Sequence, residues 1–204
     1  MFASRAFGVI KNGIDLRRFR YRAEARSDIR ARYGLENVKV IGHVGRFAPP
    51  KNHELILRIF EEYQKRNPNS ALMLVGDGAL QEKIENMAKD MGISQKVLFV
   101  GAVDNVGDYL CAMDVFLFPS LFEGLGIALI EAQAVGLPCV ASASIPTECL
   151  INSNCFTLAL DVPLSEWCEA IDVCERVGEP HVRLLEYDNR KTARVLEEIY
   201  CEYR

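Results

Sequence analysis

No Cys-x-x-Cys pair occurs among the seven cysteines of this sequence, and its three histidines stand at no zinc-type spacing from them. A zinc module and a disulfide framework therefore both lack their signatures. Cys139 in "LPCVAS" lies in a predicted core strand, where a free thiol behaves as a small hydrophobe, and the set reads as reduced structural thiols of a reducing compartment. There is no Gly-x-x-x-x-Gly-Lys-Ser/Thr loop and no Gly-x-Gly-x-x-Gly at the first strand, so ordinary nucleotide hydrolysis and dinucleotide redox chemistry are not indicated. The longest apolar stretch, Gly124 to Ala143, is broken by Glu131, Gln133 and Pro138 and does not read as a membrane span. The opening "MFASRAFGVI" holds Arg5 and no apolar core before a cleavage-like site, which makes the cytoplasm the expected location. Repeats and low-complexity tracts are also missing.

What is present suits one domain: 204 residues, half hydrophobic and a quarter charged, are enough for a single well-buried core. The charge is uneven. Residues 1–66 hold fifteen Lys or Arg against seven Asp or Glu, although the whole chain carries a net charge of −4. Such a basic segment suits an anionic lipid surface or a phosphorylated substrate. The plainer reading is a solvated connector and short helix, in which Arg17, Arg18, Arg20, Arg22, Arg26, Arg30 and Arg32 have Glu24 and Asp28 as intrahelical partners. No aromatic interleaving points to nucleic acid.

Continuous apolar runs read as buried strands: "VKVIGHVG", "ALMLVG", "KVLFVG", "DVFLFPS" and "LPCVAS". Between them, helical patterns cover Asn52 to Arg66, Ala79 to Met91, Val106 to Met113 and Leu125 to Val135. Alternating strands and helices specify right-handed crossovers and a parallel sheet covered on both faces, with a ligand expected at the carboxyl ends of the strands. Asn52 is the expected N-cap of its helix, Asn67-Pro68 its end, and Gly136 the stop before Pro138. Two amphipathic helices follow Leu160; Trp167, Ile171 and Cys174 share one face of the first, and Leu196, Ile199 and Tyr200 line the second, both expected as packing elements.

The strand ends are glycine-rich: "GHVGRFAPPKN", "VGDGAL", "VGAVDN" and "PSLFEGLG". Glycine admits a close backbone approach, and a following helix N-terminus offers free N–H groups to an anion. Arg46 and Lys51, five residues apart around the start of a helix, suit a diphosphate, the guanidinium as a planar fork and the ammonium as a compact charge. The neighbouring His43 and His53 read as structural. Within Phe122 to Val135 the only ionisable residues are Glu123 and Glu131. At ~1.5 Å rise per residue they stand too far apart to share a proton. Two separately partnered carboxylates suit the hydroxyls of a polyol. The alternative for Glu131 is an ion pair to a distant cation, since no basic residue lies between Lys96 and Arg176.

The two glutamates of "PSLFEGLGIALIEAQAVGLPCVAS" resemble the signature of the large retaining glycosyltransferase family called group 1 or family 4, which has the GT-B fold. "VIKNGIDLRRF", "GRFAPPKN", "LVGDGAL" and "VLFVGAV" resemble further motifs of the family in the same order, over about residues 8 to 150. The wording is most similar to bacterial exopolysaccharide or capsule glycosyltransferases of the EpsF type.

That resemblance implies a Rossmann-like α/β domain, the C-terminal half of a GT-B fold. Arg46 and Lys51, beside Gly45, would hold the donor diphosphate and stabilise the leaving nucleotide with no metal. Gly124, Leu125, Gly126 and Ile127 would offer backbone N–H groups to the same phosphates. Glu123 would contact the donor sugar near the reacting carbon and count with Arg46 and Lys51 as catalytic, Glu131 would accept ribose hydroxyls, and backbone around Val103 would read the base. The donor would be a UDP- or GDP-sugar, with no further cofactor. The acceptor, a glycan or lipid-linked carrier, would bind an N-terminal domain that this chain lacks, with residues Met1 to Ile10 as interdomain linker and first strand. The isolated chain would bind donor weakly without turnover, and the full enzyme would work in the cytoplasm or peripherally on the membrane's inner face. The alternatives are a non-catalytic sugar-nucleotide-binding or partner-binding module, and a sugar-nucleotide epimerase, which shares the architecture without this glutamate spacing.

Overall fold

A computed structural model describes residues 9–176 and 182–202. Five strands form where the apolar runs predict them: β1 (Lys39–Val44), β2 (Ser70–Val75), β3 (Val97–Gly101), β4 (Val115–Phe118) and β5 (Cys139–Ser142). A sixth, β6 (Cys155–Leu158), adds an edge that the sequence did not announce. All pairings are parallel and the order is β3-β2-β1-β4-β5-β6. The chain winds outward from β1 to β3 and then returns to start again at β4. The crevice between the ends of β1 and β4 is therefore the topological switch point, where open α/β sheets take their ligands.

Alternate side chains of each strand enter separate cores. Val40, Met73, Phe116, Phe118 and Ala141 face one layer, which holds α1 (Ala23–Tyr33), α4 (Val106–Ala112) and α5 (Ile127–Ala134). Ile41, Leu72, Leu74, Leu117 and Val140 face the other, with α2 (His53–Arg66), α3 (Gln81–Asp90) and α6 (Leu164–Asp172). Burial on both faces is why these strands read as unbroken apolar runs. Trp167 and Ile171 of α6 are fully buried against α2, each stabilising by roughly 1.5–3 kcal/mol. The seven cysteines are all free, and burial raises the thiol of Cys139 well above its ordinary range. Among the described residues no helix is long and apolar enough to cross a membrane.

Several local expectations need correction. Glu24 and Asp28 form no ion pair among the described residues; Arg26 and Arg30 of α1 reach instead across the fold to Asp114, and Arg22, at the N-cap of α1, reaches Asp108. Helical spacing pointed to the near partner, but tertiary packing brings a better one. Asn52 does stand at the N-cap of α2, yet its φ is 54° and its side chain makes no capping bond; Nδ2 donates to the Pro119 carbonyl. The last helix, α7 (Asn189–Glu202), leaves Leu196, Ile199 and Tyr200 exposed instead of packed. Val9 and Ile10 carry no strand, and residues 1–8 lie outside the described residues. Gly136 ends α5 with φ 69°, as expected.

Candidate functional site

Parallel pairing puts the glycine-rich loops at one edge of the sheet. The loop after β1 is held there by backbone: Gly45 N–H donates to the Val75 carbonyl and Phe47 N–H to that of Asp77. A Cβ on Gly76 would lie 2.2 Å from the Gly45 carbonyl oxygen, so only glycine allows this approach. Arg46 projects from the loop, exposed and without a side-chain hydrogen bond or ion pair among the described residues. Lys51 follows at the end of a 3-10 turn over Pro49–Lys51, its stem against Gly45: a Cβ there would lie 3.3 Å from both Cγ and Cδ of Lys51.

The facing wall is the loop after β4. Its Glu123 Oε1 accepts from Lys51 Nζ at 2.6 Å, with the side chains 11% and 22% exposed. Gly126, with φ 75°, forms the N-cap of α5, so the helix starts at Ile127, two residues later than the sequence pattern indicates. Exposed Gly124, half-buried Leu125 and the first turn of α5 lie beside Glu123, with free N–H groups and the positive end of the helix dipole. Beside them is an open cavity of about 460 Å³, lined by Lys11, Gly124, Leu125, Pro146, Glu148 and Tyr187 among others.

Glu131 lies in the second turn of α5, half-buried and without a hydrogen bond among the described residues. Burial pushes its carboxyl up to about 7, and the charge of Arg18 opposes that only in part. Arg18 is thus the distant cation whose charge Glu131 feels, and sequence reasoning missed it. Its guanidinium donates to the Asp104 carbonyl at 2.6 Å, fastening the first loop to the segment after β3. Val103 is half-buried in that segment, against the same core layer as Leu125 and Ala128. A second cavity of about 360 Å³ lies where this loop meets α4, with Arg18, Phe19, Arg22, Val106 and Asp108 in its lining. Among the described residues the geometry joins Lys51 to Glu123 directly, leaves the side chains of Arg46 and Glu131 without a hydrogen bond or ion pair, and sets Val103 beyond the end of β3.

Beneath Lys51 lie His43 and His53, ring centroids 4.9 Å apart. His43 Nδ1–H donates to the Leu117 carbonyl at 2.9 Å, and the ring is fully buried beside Phe118. Burial, then the neighbouring His53, hold its pKa well below the ordinary value; burial, then Lys51, take His53 down to about 4. Both rings are uncharged at neutral pH. They form an uncharged floor under Lys51, in which His43 Nε2 and both nitrogens of His53 have no hydrogen-bond partner among the described residues.

Residues 25–160 match the family described as glycosyl transferases group 1. A protein of Bacillus subtilis (strain 168) named as a glycosyltransferase, EpsF, is 37% identical over 174 residues, covering 84% of this chain and 45% of that protein. A UDP-Gal:alpha-D-GlcNAc-diphosphoundecaprenol alpha-1,3-galactosyltransferase of Escherichia coli is 35% identical over 151 residues, or 72% of this chain and 39% of the other. The chain spans less than half the length of these relatives. Among solved structures, Anabaena Alr3699/HepE in complex with UDP and glucose matches with a TM-score of 0.80 at 21% identity, over 95% of this chain and 56% of that one, a likeness of fold. The match over residues 25–160, together with a Rossmann-like sheet of the GT-B type, shows that this chain belongs to the group 1 glycosyltransferase family.

Proposed function

We propose that this chain is the donor-binding half of a retaining glycosyltransferase, whose acceptor-binding half lies in an N-terminal domain outside this sequence. The observation that carries the reading is the convergence of Lys51 and Glu123, 72 residues apart in sequence, at the switch point beside the N-terminus of α5. An anion-binding end and a hydroxyl-binding carboxylate side by side suit a sugar joined to a diphosphate.

In this reading Arg46, Lys51 and the N–H groups of Gly124 to Ile127 hold the diphosphate. As the bond from the anomeric carbon to the phosphate oxygen breaks, they stabilise the charge gathering on the leaving nucleotide, with no metal needed. Glu123 orients the sugar near its reacting carbon, and Glu131 accepts from the ribose hydroxyls. The acceptor hydroxyl enters on the face the nucleotide leaves and gives its proton to the departing phosphate oxygen, so the anomeric configuration is retained. Backbone near Val103 meets the base, and UDP- and GDP-sugars are the candidate donors. The name of the Escherichia coli relative, with its UDP-sugar and its diphosphoundecaprenol carrier, supports a lipid-linked acceptor; work in polysaccharide synthesis at the cytoplasmic face of a membrane is part of the same proposal. The basic first third is compatible with that place.

The direct Lys51–Glu123 ion pair is the observation that favours the alternative, a non-catalytic module with the same fold. Calorimetric titration of this chain with UDP, GDP and ADP separates the two. Binding of one nucleotide that is lost in Arg46→Ala and in Glu131→Ala supports the donor site. Failure of all three at millimolar concentration supports the module.

A further inference from the structure

The side chains of Lys51 and Glu123 have no hydrogen bond or ion pair among the described residues except with each other. Nearby are the Phe118 ring, whose centroid is 5.3 Å from Lys51 Nζ, and the uncharged His43 and His53 below. Glu123 is the more deeply placed of the two, its side chain 11% exposed. A nucleotide diphosphate that claims Lys51 leaves this carboxylate desolvated, unpaired and facing phosphate oxygens.

We infer that this ion pair makes the site discriminate a nucleotide that carries a sugar from the free nucleotide diphosphate. The inference rests on the donor-site reading and deepens it. Sugar hydroxyls replace the ammonium on Glu123 as Lys51 moves to the phosphates, so an intact donor satisfies both halves of the broken pair. The product nucleotide satisfies only the lysine. Glu123 then competes with it for Lys51 and repels it, which speeds its departure once the sugar has been transferred. Glu123 is thus a specificity-determining residue as well as a sugar contact.

The test is calorimetric titration of this chain, unaltered and as Glu123→Gln, with UDP and UDP-glucose, and in parallel with GDP and GDP-mannose. The glutamine keeps the shape and removes the charge. It should tighten the free nucleotide about tenfold while leaving the sugar nucleotide no tighter, so that the preference for the sugar nucleotide falls by about tenfold. A free nucleotide bound no better by Glu123→Gln, or an equal tightening of both ligands, would overturn the inference. Glu123→Asp guards against a folding defect: it withdraws the charge by one methylene and should tighten the free nucleotide by less. Arg46→Ala distinguishes the two levels of failure. If it weakens binding while Glu123→Gln tightens nothing, the exchange of partners is wrong and the site stands. If it changes nothing, the donor-site reading falls and this inference falls with it.

Discussion

The side-chain amide of Asn52 donates to the Pro119 carbonyl at 3.1 Å, and the backbone N–H of Leu121 donates in return to the Pro50 carbonyl at 2.8 Å. The turn that carries Lys51 and the loop that carries Glu123 are thereby clasped from both sides. Asn52 holds φ 54°, a left-handed conformation that asparagine tolerates better than most residues.

Asn52→Gly keeps that conformation and removes the amide bond. It should cost about 1 kcal/mol and lower Tm by about 2–4 °C, as read by thermal unfolding. Nucleotide affinity should fall as well, because Lys51 loses its anchor. Asn52→Val adds strain at positive φ and should be worse by about 1–3 kcal/mol. An unchanged Tm in Asn52→Gly would mean that the clasp contributes nothing.

Glu131 sets stability against binding. Its folded-state pKa of about 7 lies above the ordinary 4.5, so the folded chain keeps a proton that the unfolded chain has already released. The contribution is present below the unfolded value and is lost as the pH rises through the folded one. Glu131→Gln should therefore be more stable than the unaltered chain at about pH 8, by roughly 1–3 kcal/mol, and no different at about pH 4. Urea unfolding at the two pH values reads this. The same variant should bind nucleotide less well, and the affinity of the unaltered chain should climb as Glu131 ionises.

Asp114 joins α1 to the start of β4. Arg26 Nη2 reaches its carboxylate at 2.5 Å and Arg30 Nη1 at 3.2 Å, and the Val40 N–H donates to it at 2.7 Å. Burial pushes its pKa up, but the Val40 bond and the two guanidinium groups outweigh that and leave it below the ordinary value. Its contribution is therefore present above the unfolded pKa and lost as the pH falls through the folded one. Asp114→Asn leaves buried Arg30 facing a neutral amide and should cost about 3–5 kcal/mol in urea unfolding at neutral pH. The difference from the unaltered chain should shrink as the medium is acidified.

Apolar runs made β1, β2, β4 and β5 legible because those strands are covered on both faces, and the half-buried edge strand β3 was legible because it keeps an apolar run from Val97 to Val100. The edge strand β6 is only partly covered, and Phe156 is exposed there, so no such run marks it. Spacing along a helix suggested solvated arginines in α1. Nothing local shows that Arg30 is buried, since its partner Asp114 lies 84 residues away. The amphipathic pattern of α7 identified a helix but not what its apolar face meets, and that face is exposed. At the site, glycines and residue types pointed to an anion and a polyol, and order and wording of the motifs pointed to the family. That Lys51 bonds Glu123, and that the charge of Arg18 reaches Glu131, are consequences of loop packing with no signature in spacing.

A crystal structure of this chain soaked with UDP examines the central claim most directly. The diphosphate should lie between Arg46, Lys51 and the first turn of α5, with the ribose hydroxyls on Glu131 and the base against the backbone near Val103. Phosphates bound away from Lys51, or a ribose that makes no contact with Glu131, would contradict it.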